Sequence, residues 1–403
     1  MGDHLLTGLD DQQIEAVTAT DTPLAILAGA GAGKTRTLTR RIAWQGAQGS
    51  LDIRHTLALT FTRKAAGELR ARLHALGVRQ QVTAGTFHAI ALAQLRRRAD
   101  DAGRALPQLL DRKVGLLIRL LGGGNTALSQ ARDVAGEIEW AKARLVDPEG
   151  YEAAAALAGR SPSLPVADIA RHYERYEREK ERRGLIDFDD LLTGCAQAIE
   201  SDPEFASVQR WRFQHLFVDE FQDVNPAHLR LLKAWLGGRS ALVVVGDDDQ
   251  AIYSFSGADP SYLVDFPRHF PGGSVVRLNA NYRSTPQVLV AASAVLPGGL
   301  RSKQGFRAVL ADGPLPTITA YPSDSEEARR IAARIRDQHT SGSPWSATAV
   351  LYRTNAQSAS FEAAFRAAGV PFRVRGASRF LERPETRSAL ARLERAPRAA
   401  PGT

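Results

Sequence analysis

The chain has 403 residues and carries 52 lysine and arginine residues against 44 aspartate and glutamate residues, a formal net charge of +8. It contains no run of about 18 apolar residues, so no transmembrane helix is predicted, and its single cysteine, Cys195, excludes internal disulfides and a cysteine-rich zinc site. The basic balance suits a polyanionic partner, although abundant alanine and arginine also fit a bias in genomic base composition. The first residues lack the basic start and apolar core of a signal peptide, so we expect a cytoplasmic protein.

A glycine-rich loop follows the first predicted strand, the apolar run at 24–27. The loop consists of Ala28, Gly29, Ala30, Gly31, Ala32 and Gly33, and it is followed by Lys34, Thr35 and Arg36 at the start of a helix-like stretch. Glycine adopts positive φ, so the loop can turn its backbone N–H groups inward, and a helix N-terminus behind it completes an anion site. The pattern assigns Lys34 to the outer phosphates of a nucleotide and the Thr35 hydroxyl to Mg²⁺. A flexible loop followed by a chance Lys-Thr pair is the alternative, and Ala28 replaces the glycine of the strict pattern.

Further apolar runs alternate with helical patterns along the chain. They are Leu57–Phe61, His215–Glu220, Ala241–Asp247, Val275–Asn279 and Thr348–Arg353. Near-continuous apolar strands separated by helices are typical of parallel sheets that are covered on both faces. Ligands of such sheets bind at the carboxyl ends of the strands, which is where the polar motifs of this chain fall. The sequence therefore predicts an α/β fold.

The residues from about 89 to 194 have a different composition, rich in alanine, arginine and leucine and without a clear strand. Within them, the segment 167–184 places Ile169, Tyr173 and Tyr176 on one stripe of an amphipathic helix. We predict that this block is a helical domain inserted into the first α/β domain. The tail at 387–403, rich in proline, alanine and arginine, is predicted to be disordered.

Two acidic residues, Asp219 and Glu220, come directly after the apolar run 216–218. Beside a phosphate loop, Asp219 would hold Mg²⁺ through its water shell, and Glu220 would orient and deprotonate the attacking water. A pair of solvated acids at a strand end is the alternative. Gln250, after the next apolar run, can donate its amide to a γ-phosphate, and Arg283 can act as an arginine finger.

Three aromatic residues, Tyr253, Phe255 and Tyr282, lie in or beside these motifs. The spacing of Tyr253 and Phe255 lets both side chains face a common groove, where aromatic rings stack on the bases of a single strand regardless of its sequence. Judged from the residues alone, ordinary core packing of these two rings is the favoured interpretation. Tyr282 can stack on a base in the same way.

Taken together, these motifs resemble the superfamily 1 DNA helicases of the UvrD/Rep/PcrA type. In chain order they read LDDQQIEAV, AGAGAGKTR, LTFTRKAAGEL, GTFHAIA, VDEFQD, VGDDDQAIYSFSGA, NYRST and LYRTNAQS. The resemblance covers nearly the whole chain. It implies a RecA-like P-loop NTPase lobe at 1–88 and 195–278, a helical insertion at 89–194 and a partial second RecA-like lobe at 279–386, with ATP bound between the lobes.

The resemblance also implies roles for the matching residues. Gln13 would read the adenine edge, and Tyr282 would stack on the ring with Arg36 nearby. The roles given above would be kept by Lys34, Thr35, Asp219, Glu220, Gln250 and Arg283. The DNA track would be lined by Thr60, Phe61, Thr86, Phe87, His88, Tyr253, Phe255 and, from the second lobe, Arg353. The resemblance thus reverses the packing interpretation of Tyr253 and Phe255, while for His88 a purely structural role stays equally open.

The implied activity is that of an ATP-dependent helicase and translocase that moves 3′ to 5′ on single-stranded DNA and acts at single/double-strand junctions, in DNA repair or replication. ATP and Mg²⁺ are the implied cofactors, and DNA-repair proteins are the implied protein partners. Closure of the lobes on ATP through Gln250 and Arg283, and their reopening after hydrolysis, would drive the steps along the strand.

The chain departs from the family pattern in three places. Phe255 replaces the usual tryptophan, and Ser256 replaces an arginine and so removes a positive charge near the strand. From about Glu385 the resemblance ends, and we expect the GLEF-like DNA motif and the second arginine finger of the second lobe to be missing. A truncated module that binds ATP and DNA without translocating is therefore one alternative, and an unrelated P-loop enzyme such as a small-molecule kinase is another.

Overall fold

The chain is divided into two structural units, and the boundary lies between Leu315 and Pro316. The structure, a computed structural model, describes residues 3–79, 82–124, 126–296, 307–340 and 342–375. The predicted disordered tail lies outside these residues. Within the described ranges, no helix is long and apolar enough to cross a membrane. The lobe limits that the family pattern implies remain predictions.

A parallel sheet of six strands is the centre of the first unit. The strands among the described residues are β1 (Leu24–Ala28), β2 (Thr56–Thr60), β3 (Thr83–Thr86), β4 (Gln108–Leu109), β5 (Leu185–Ile186), β6 (His215–Val218), β7 (Leu242–Gly246), β8 (Ser274–Leu278), β9 (Ala280–Asn281) and β10 (Arg307–Ala308). The large sheet has the order β3-β2-β6-β7-β1-β8, and each neighbouring pair is parallel. The predicted α/β class, a RecA-like lobe built on a parallel sheet, is confirmed, and β6, β7 and β1 are successive neighbours in it.

Helices cover the sheet and also form the block between β3 and β6. Those described are α1 (Asp11–Thr18), α2 (Lys34–Gln48), α3 (Arg63–Ala75), α4 (Phe87–Asp101), α5 (Lys113–Leu120), α6 (Ala127–Ala143), α7 (Tyr151–Leu157), α8 (Val166–Arg182), α9 (Phe188–Ser201), α10 (Pro203–Arg212), α11 (Pro226–Leu236), α12 (Ser261–Val264), α13 (Phe266–His269), α14 (Pro286–Ser293), α15 (Asp324–Gln338) and α16 (Ser358–Ala368). Side chains of α2 and α3 belong to the core on one face of the sheet, and side chains of α4, α9 and α11 belong to the core on the other.

Strand β1 shows why the apolar runs are nearly continuous. All five of its residues are buried. Leu24 and Ile26 lie in one core, whereas Ala25 and Leu27 lie in the other, because successive side chains of a strand point to opposite faces. A strand between two cores therefore needs an apolar residue at every position, as expected for a parallel sheet.

The block between β3 and β6 has a core of its own. Ile169, Tyr173 and Tyr176 are buried on one stripe of α8, as predicted, and they pack against α5, α6 and α7. The prediction that this block lacks strands is wrong in one detail, because β4 and β5 form a short parallel pair. Helix α9 crosses the predicted limit at 194/195 and packs in the core of the large sheet through Cys195 and Ile199.

A buried charge cluster attaches this block to α9. Asp187 is 1% exposed and accepts hydrogen bonds from Lys142 Nζ at 2.9 Å, Lys180 Nζ at 3.1 Å and the Tyr176 hydroxyl at 2.9 Å. Its carboxylate also accepts from the backbone N–H of Asp190 and so caps the first turn of α9. Burial by itself raises the pKa of Asp187, but the ammonium groups of Lys142, Lys113 and Lys180 hold that pKa well below its ordinary value.

The second unit is built on α15 and α16. Ala328, Ala332, Phe361 and Phe365 form its buried core. The strand predicted at 348–353 is wrong, because these residues have irregular backbone and Leu351 is 93% exposed. A strand needs a neighbour for its ladder of hydrogen bonds, and the described residues of this unit contain no other strand.

The charge cluster generates a prediction about stability. Asp187→Asn is expected to lower the unfolding free energy by about 3 kcal/mol, because it leaves two buried lysines short of a counter-charge. Since the pKa of Asp187 is depressed in the folded state, its contribution is present above the ordinary aspartate pKa of about 3.9 and is lost as the pH falls below it. Urea titration at several pH values, followed by circular dichroism, measures both effects.

The matched control is Asp168→Asn, which removes the carboxylate of an exposed pair with Arg171 on α8. That variant is expected to change the unfolding free energy by less than about 0.5 kcal/mol. Equal stability of Asp187→Asn and the control at neutral pH would contradict the prediction.

Candidate functional site

The glycine-rich loop joins β1 to α2 at the carboxyl edge of the sheet. Gly31 and Gly33 have φ values of +78° and +85°. Residues that carry a Cβ adopt such positive φ values only with strain. Gly33 is the N-cap of α2 and no side chain caps the helix. The first N–H groups of α2 are therefore left for an anion, as expected of a helix N-terminus behind such a loop.

Three carbonyl groups of the loop accept hydrogen bonds from neighbouring segments of the chain. Asn281 Nδ2 donates to Ala30 O at 2.7 Å, and Gln13 Nε2 donates to Ala32 O at 2.9 Å. The backbone N–H of Tyr282 donates to Gly31 O at 3.0 Å. Three successive carbonyls are thus satisfied by α1 and by the segment that begins at β9, which fixes the loop from outside.

Lysine and carboxylate side chains meet at the ends of three neighbouring strands. Lys34 Nζ, at the start of α2, lies 4.0 Å from Glu220 Oε2 and 3.9 Å from Asp247 Oδ2. Thr35 Oγ1 donates a hydrogen bond to Asp219 Oδ2 at 3.2 Å. Because β6 and β7 lie beside β1 in the sheet, the acids that follow β6 and β7 reach the loop that follows β1.

Asp219 and Thr35 form an oxygen donor set. Asp219 is 4% exposed. Burial, followed by the negative charge of Glu220, raises the pKa of Asp219 to about 6, and the hydrogen bond from Thr35 and the charge of Lys34 offset these effects only in part. A buried carboxylate next to a hydroxyl is the kind of hard oxygen set that Mg²⁺ prefers, and the residues fit that ion.

Glu220 has an unusual backbone conformation for a residue with a Cβ. Its φ of +54° lies in the left-handed region, where such a residue costs about 1–2 kcal/mol. The conformation is held by a hydrogen bond from its backbone N–H to Asp219 Oδ1 at 3.1 Å and by Gln222 Nε2, which donates to Glu220 Oε2 at 2.9 Å. Strained residues of this kind occur preferentially at functional sites.

Asp247, Gln222 and Asn281 also belong to the site, although they were not predicted from the sequence. Asp247 is 2% exposed and accepts a hydrogen bond from Gln250 Nε2 at 2.7 Å. Gln222 joins the two acidic strand ends, because its Oε1 accepts from the backbone N–H of Asp247 at 3.0 Å while its amide holds Glu220. Asp247 directly follows β7, so the rule that placed Asp219 at a strand end also applies to Asp247.

The residues predicted to hold the adenine lie beside the loop. Gln13 is 1% exposed, and its amide is used on Ala32 O, so in this structure it supports the loop. The Tyr282 hydroxyl donates to Asp10, and its ring is 39% exposed. Arg36 donates to Gly8 O at 2.9 Å. Arg283 is exposed. Its backbone lies close to Gly31, because a Cβ added to Gly31 would be 2.7 Å from Arg283 Cβ.

The predicted DNA track contains two residues that the structure places in the core. Thr60 and Phe87 are each 1% exposed. Side-chain contact of either residue with DNA is therefore not supported, because Thr60 ends a buried strand with its hydroxyl on Thr62 O and Phe87 packs against Trp235. Thr86 accepts from Ala89 N and caps α4.

Phe61 and His88 surround a histidine that the sequence analysis did not single out. The ring of His228 lies 5.3 Å from that of Phe61 and 5.5 Å from that of His88. Burial lowers the pKa of His88, and burial followed by the charge of His88 lowers the pKa of His228 to about 3. Two neutral histidines therefore pack among aromatic rings here, and a role of His88 toward DNA stays a prediction.

Tyr253 and Phe255 are exposed, so the core-packing interpretation of these rings is wrong. Their side chains are 47% and 69% exposed, and the ring centroids lie 6.2 Å apart at 45°. The rings follow β7 on the same loop as Gln250. Arg353 is exposed in the second unit, and its predicted role stays a prediction.

Comparison with known proteins identifies relatives of the chain. The family model described as the UvrD/REP helicase N-terminal domain matches residues 9–271, and the UvrD-like helicase C-terminal domain matches residues 276–398. The second match corrects the expectation that the resemblance ends near Glu385.

Three curated relatives illustrate the similarity. The chain is 45% identical to the ATP-dependent DNA helicase UvrD2 of Mycobacterium tuberculosis, over 98% of this chain and 59% of the relative. It is 34% identical to the ATP-dependent DNA helicase PcrA of Bacillus subtilis, over 98% of this chain and 54% of the relative. Identity to DNA helicase II of Escherichia coli is 36%, over 97% and 54% of the two chains. The chain therefore spans between half and two thirds of the length of these relatives.

The geometry of the loop generates a prediction about nucleotide binding. Gly31→Ala is expected to weaken Mg·ATP binding at least about tenfold, because a Cβ in the left-handed region costs about 1–2 kcal/mol. The new atom would also lie 2.7 Å from Arg283 Cβ and 3.0 Å from Asn281 Nδ2, so the segment that holds the loop must shift. Binding of a fluorescent ATP analogue measures the affinity.

The control is Gly67→Ala in α3, where no atom lies within 4 Å of the added Cβ. This variant is expected to keep the wild-type affinity. If Gly31→Ala binds the analogue as tightly as the control does, the positive-φ conformation of the loop is not required for nucleotide binding.

Proposed function

The chain belongs to the UvrD/REP helicase family, and from this premise we propose that it is an ATP-dependent helicase and translocase on single-stranded DNA. The observation that carries the proposal is the meeting of Lys34, Thr35, Asp219 and Glu220 at the ends of neighbouring strands. Movement 3′ to 5′ along the strand, action at single/double-strand junctions and a role in repair or replication are parts of the same proposal. Membership of this family removes the alternative of an unrelated small-molecule kinase.

The loop and Lys34 would bind the phosphates of ATP. The free N–H groups at the start of α2 would donate to phosphate oxygens, and the Lys34 ammonium would neutralise charge on the outer phosphates. Thr35 and Asp219 would hold Mg²⁺, which when bound supplies further positive charge to the phosphate oxygens. The 3.2 Å hydrogen bond between these two side chains supports this assignment, since it brings the two oxygens close enough for one ion to contact both.

Glu220 would accept the proton of the attacking water. Its carboxylate is positioned by Gln222 and by the strained backbone, and the side chain is 39% exposed, so water has access to it. A carboxylate held in place next to the phosphate loop can orient a water and take up its proton. Gln250 would donate to the γ-phosphate, and Arg283 would neutralise charge that develops in the transition state.

Tyr253 and Phe255 would hold the DNA strand by stacking. Exposed aromatic rings are costly to leave in water, and here two of them lie side by side. Rings of this kind stack on bases without preference for sequence, which suits a motor that moves along any strand. Phe61, Thr86, His88 and Arg353 remain proposed contacts of the strand on the basis of the family pattern.

The ATPase rate of the 403-residue chain, with and without single-stranded DNA, tests the proposal. The rate is expected to rise on addition of DNA, and Lys34→Ala is expected to abolish it. Glu220→Gln is expected to keep ATP binding and to lower turnover at least about 100-fold, because the amide cannot accept the proton.

The matched control is Glu204→Gln, which changes an exposed glutamate on α10. This variant is expected to turn over ATP at the wild-type rate. Wild-type turnover in Glu220→Gln would refute its assignment as general base. A rate that DNA leaves unchanged, with ATP still bound, would favour the alternative of a module that binds ATP and DNA without translocating.

Stacking on Phe255 generates a separate prediction. Phe255→Ala is expected to weaken binding of single-stranded DNA by about 1–3 kcal/mol, the usual contribution of one stacked base. Trp211→Ala is the control. Trp211 is a 65% exposed aromatic residue that contacts His55, and His55 precedes β2 at the amino ends of the strands, whereas Phe255 follows β7 at their carboxyl ends. Fluorescence anisotropy of a labelled oligothymidine measures both affinities, and an unchanged affinity of Phe255→Ala would remove the ring from the DNA contact.

A further inference from the structure

The loop that carries Tyr253 and Phe255 is attached to the helical block. Arg160, which follows α7, donates a hydrogen bond from its guanidinium to Phe255 O at 3.3 Å. Gly257, with a φ of +99°, lies against the end of α6, where an added Cβ would be 2.8 Å from Ala143 Cβ and 3.4 Å from Trp140 O. The close approach requires a glycine, so the loop and α6 form a built contact.

Two arginines lie on the indole ring of Trp140. The guanidinium carbon of Arg160 is 4.5 Å from the ring centroid, and that of Arg144 is 5.9 Å from it. Trp140 itself is 3% exposed. The two guanidinium groups are therefore brought next to the aromatic loop by one buried side chain.

The two arginines differ in their partners. Arg160 makes a bidentate pair with Glu137, with both N–H···O distances at 2.7 Å, and Glu137 also accepts from the Tyr151 hydroxyl at 2.6 Å. The charge of Arg160 is thus neutralised and its position fixed. For Arg144, by contrast, no ion pair with a carboxylate is found among the described residues. Its partly buried side chain passes Gly257, where an added Cβ would be 3.4 Å from Arg144 Cγ, and its guanidinium lies on Trp140.

The aromatic loop supplies no cation of its own. Its residues 253–258 read YSFSGA, and the hydroxyl of Ser256 donates to Tyr253 O at 2.9 Å, which uses it inside the loop. A strand whose bases stack on these rings carries a negative phosphate at every nucleotide. Among the described residues, Arg144 is a cation that lies beside the loop and makes no ion pair with a carboxylate.

We propose that Arg144 binds a backbone phosphate of the DNA strand whose bases stack on Tyr253 and Phe255, and that Arg160 positions the loop by holding the carbonyl of Phe255. The inference rests on the proposed function and assigns part of the DNA site to the helical block. The guanidinium of Arg144 suits a phosphate because its planar set of donors matches two phosphate oxygens.

Salt dependence separates a phosphate contact from a packing contact. Each phosphate contact to a single strand contributes about 0.7 to the slope of log affinity against log salt. Arg144→Ala is therefore expected to reduce the magnitude of that slope by about 0.7 and to weaken binding about fivefold near 0.1 M salt. Anisotropy titrations of a fluorescein-labelled oligothymidine between about 50 and 200 mM NaCl measure both quantities.

Two further variants make the result specific. Arg144→Lys keeps the charge and is expected to retain the wild-type slope. Arg132→Ala removes an exposed arginine from α6, the helix whose C-cap is Arg144, 12 residues and about 18 Å from Arg144 along the helix axis, and is expected to leave slope and affinity unchanged. Thermal unfolding of each variant shows whether the block stays folded.

The outcomes are distinguishable from those that test the function. A wild-type slope in Arg144→Ala would overturn the proposal, and so would an equal loss of affinity in Arg144→Ala and Arg144→Lys with an unchanged slope, which would assign Arg144 to packing on Trp140. If the wild-type chain does not bind the oligothymidine at any salt concentration, the proposed function itself fails, and this inference fails with it.

Discussion

The candidate site depends on the ammonium group of Lys34. The side chain is only 10% exposed, and the carboxylates of Glu220 and Asp247 lie 4.0 Å and 3.9 Å away on the ends of two different strands. A buried ammonium needs opposite charge nearby, and these two acids provide it. Both distances exceed those of a hydrogen bond, so the ammonium is attracted by the acids without being fixed on either. An anion at the start of α2 can therefore draw Lys34 to itself without breaking a tight ion pair.

The orientation of the loop follows from where its hydrogen bonds go. Buried backbone groups need partners, and the carbonyls of Ala30, Gly31 and Ala32 find theirs in Asn281, Tyr282 and Gln13. With the carbonyl side satisfied by the protein, the N–H side at the helix start is left for a ligand. The same contacts join the loop to the chain that leads to Arg283. A nucleotide that shifts the loop would therefore also shift Arg283, because backbone and amide hydrogen bonds connect the two.

Strand ends were predictable from the sequence, whereas the direction of individual side chains was not. Asp219 and Glu220 could be placed because an apolar run ending in acids indicates the carboxyl edge of a parallel sheet. The burial of the Thr60 and Phe87 side chains could not be predicted in the same way, because a motif match does not specify which face of a strand or helix a residue occupies. Asn281 was missed for a different reason. Its contact with Ala30 joins residues 251 apart in the chain, and no local pattern indicates such a contact.

The last turn of α6 links two attachments of the helical block to the first unit. Lys142 is bound by Asp187, which caps α9, and α9 is part of the core of the large sheet. Two residues before Lys142, Trp140 carries the arginines that contact the aromatic loop. A helix is stiff over a single turn, so these attachments cannot move independently. A tilt of α6 about the charge cluster would displace Trp140 and with it the support of Phe255. A DNA strand stacked on Phe255 would in turn favour the tilt at which the loop is best supported, because coupling between two sites acts in both directions. The buried ion cluster, although distant in sequence from every motif, thereby constrains the orientation of the surface on which the strand is proposed to bind.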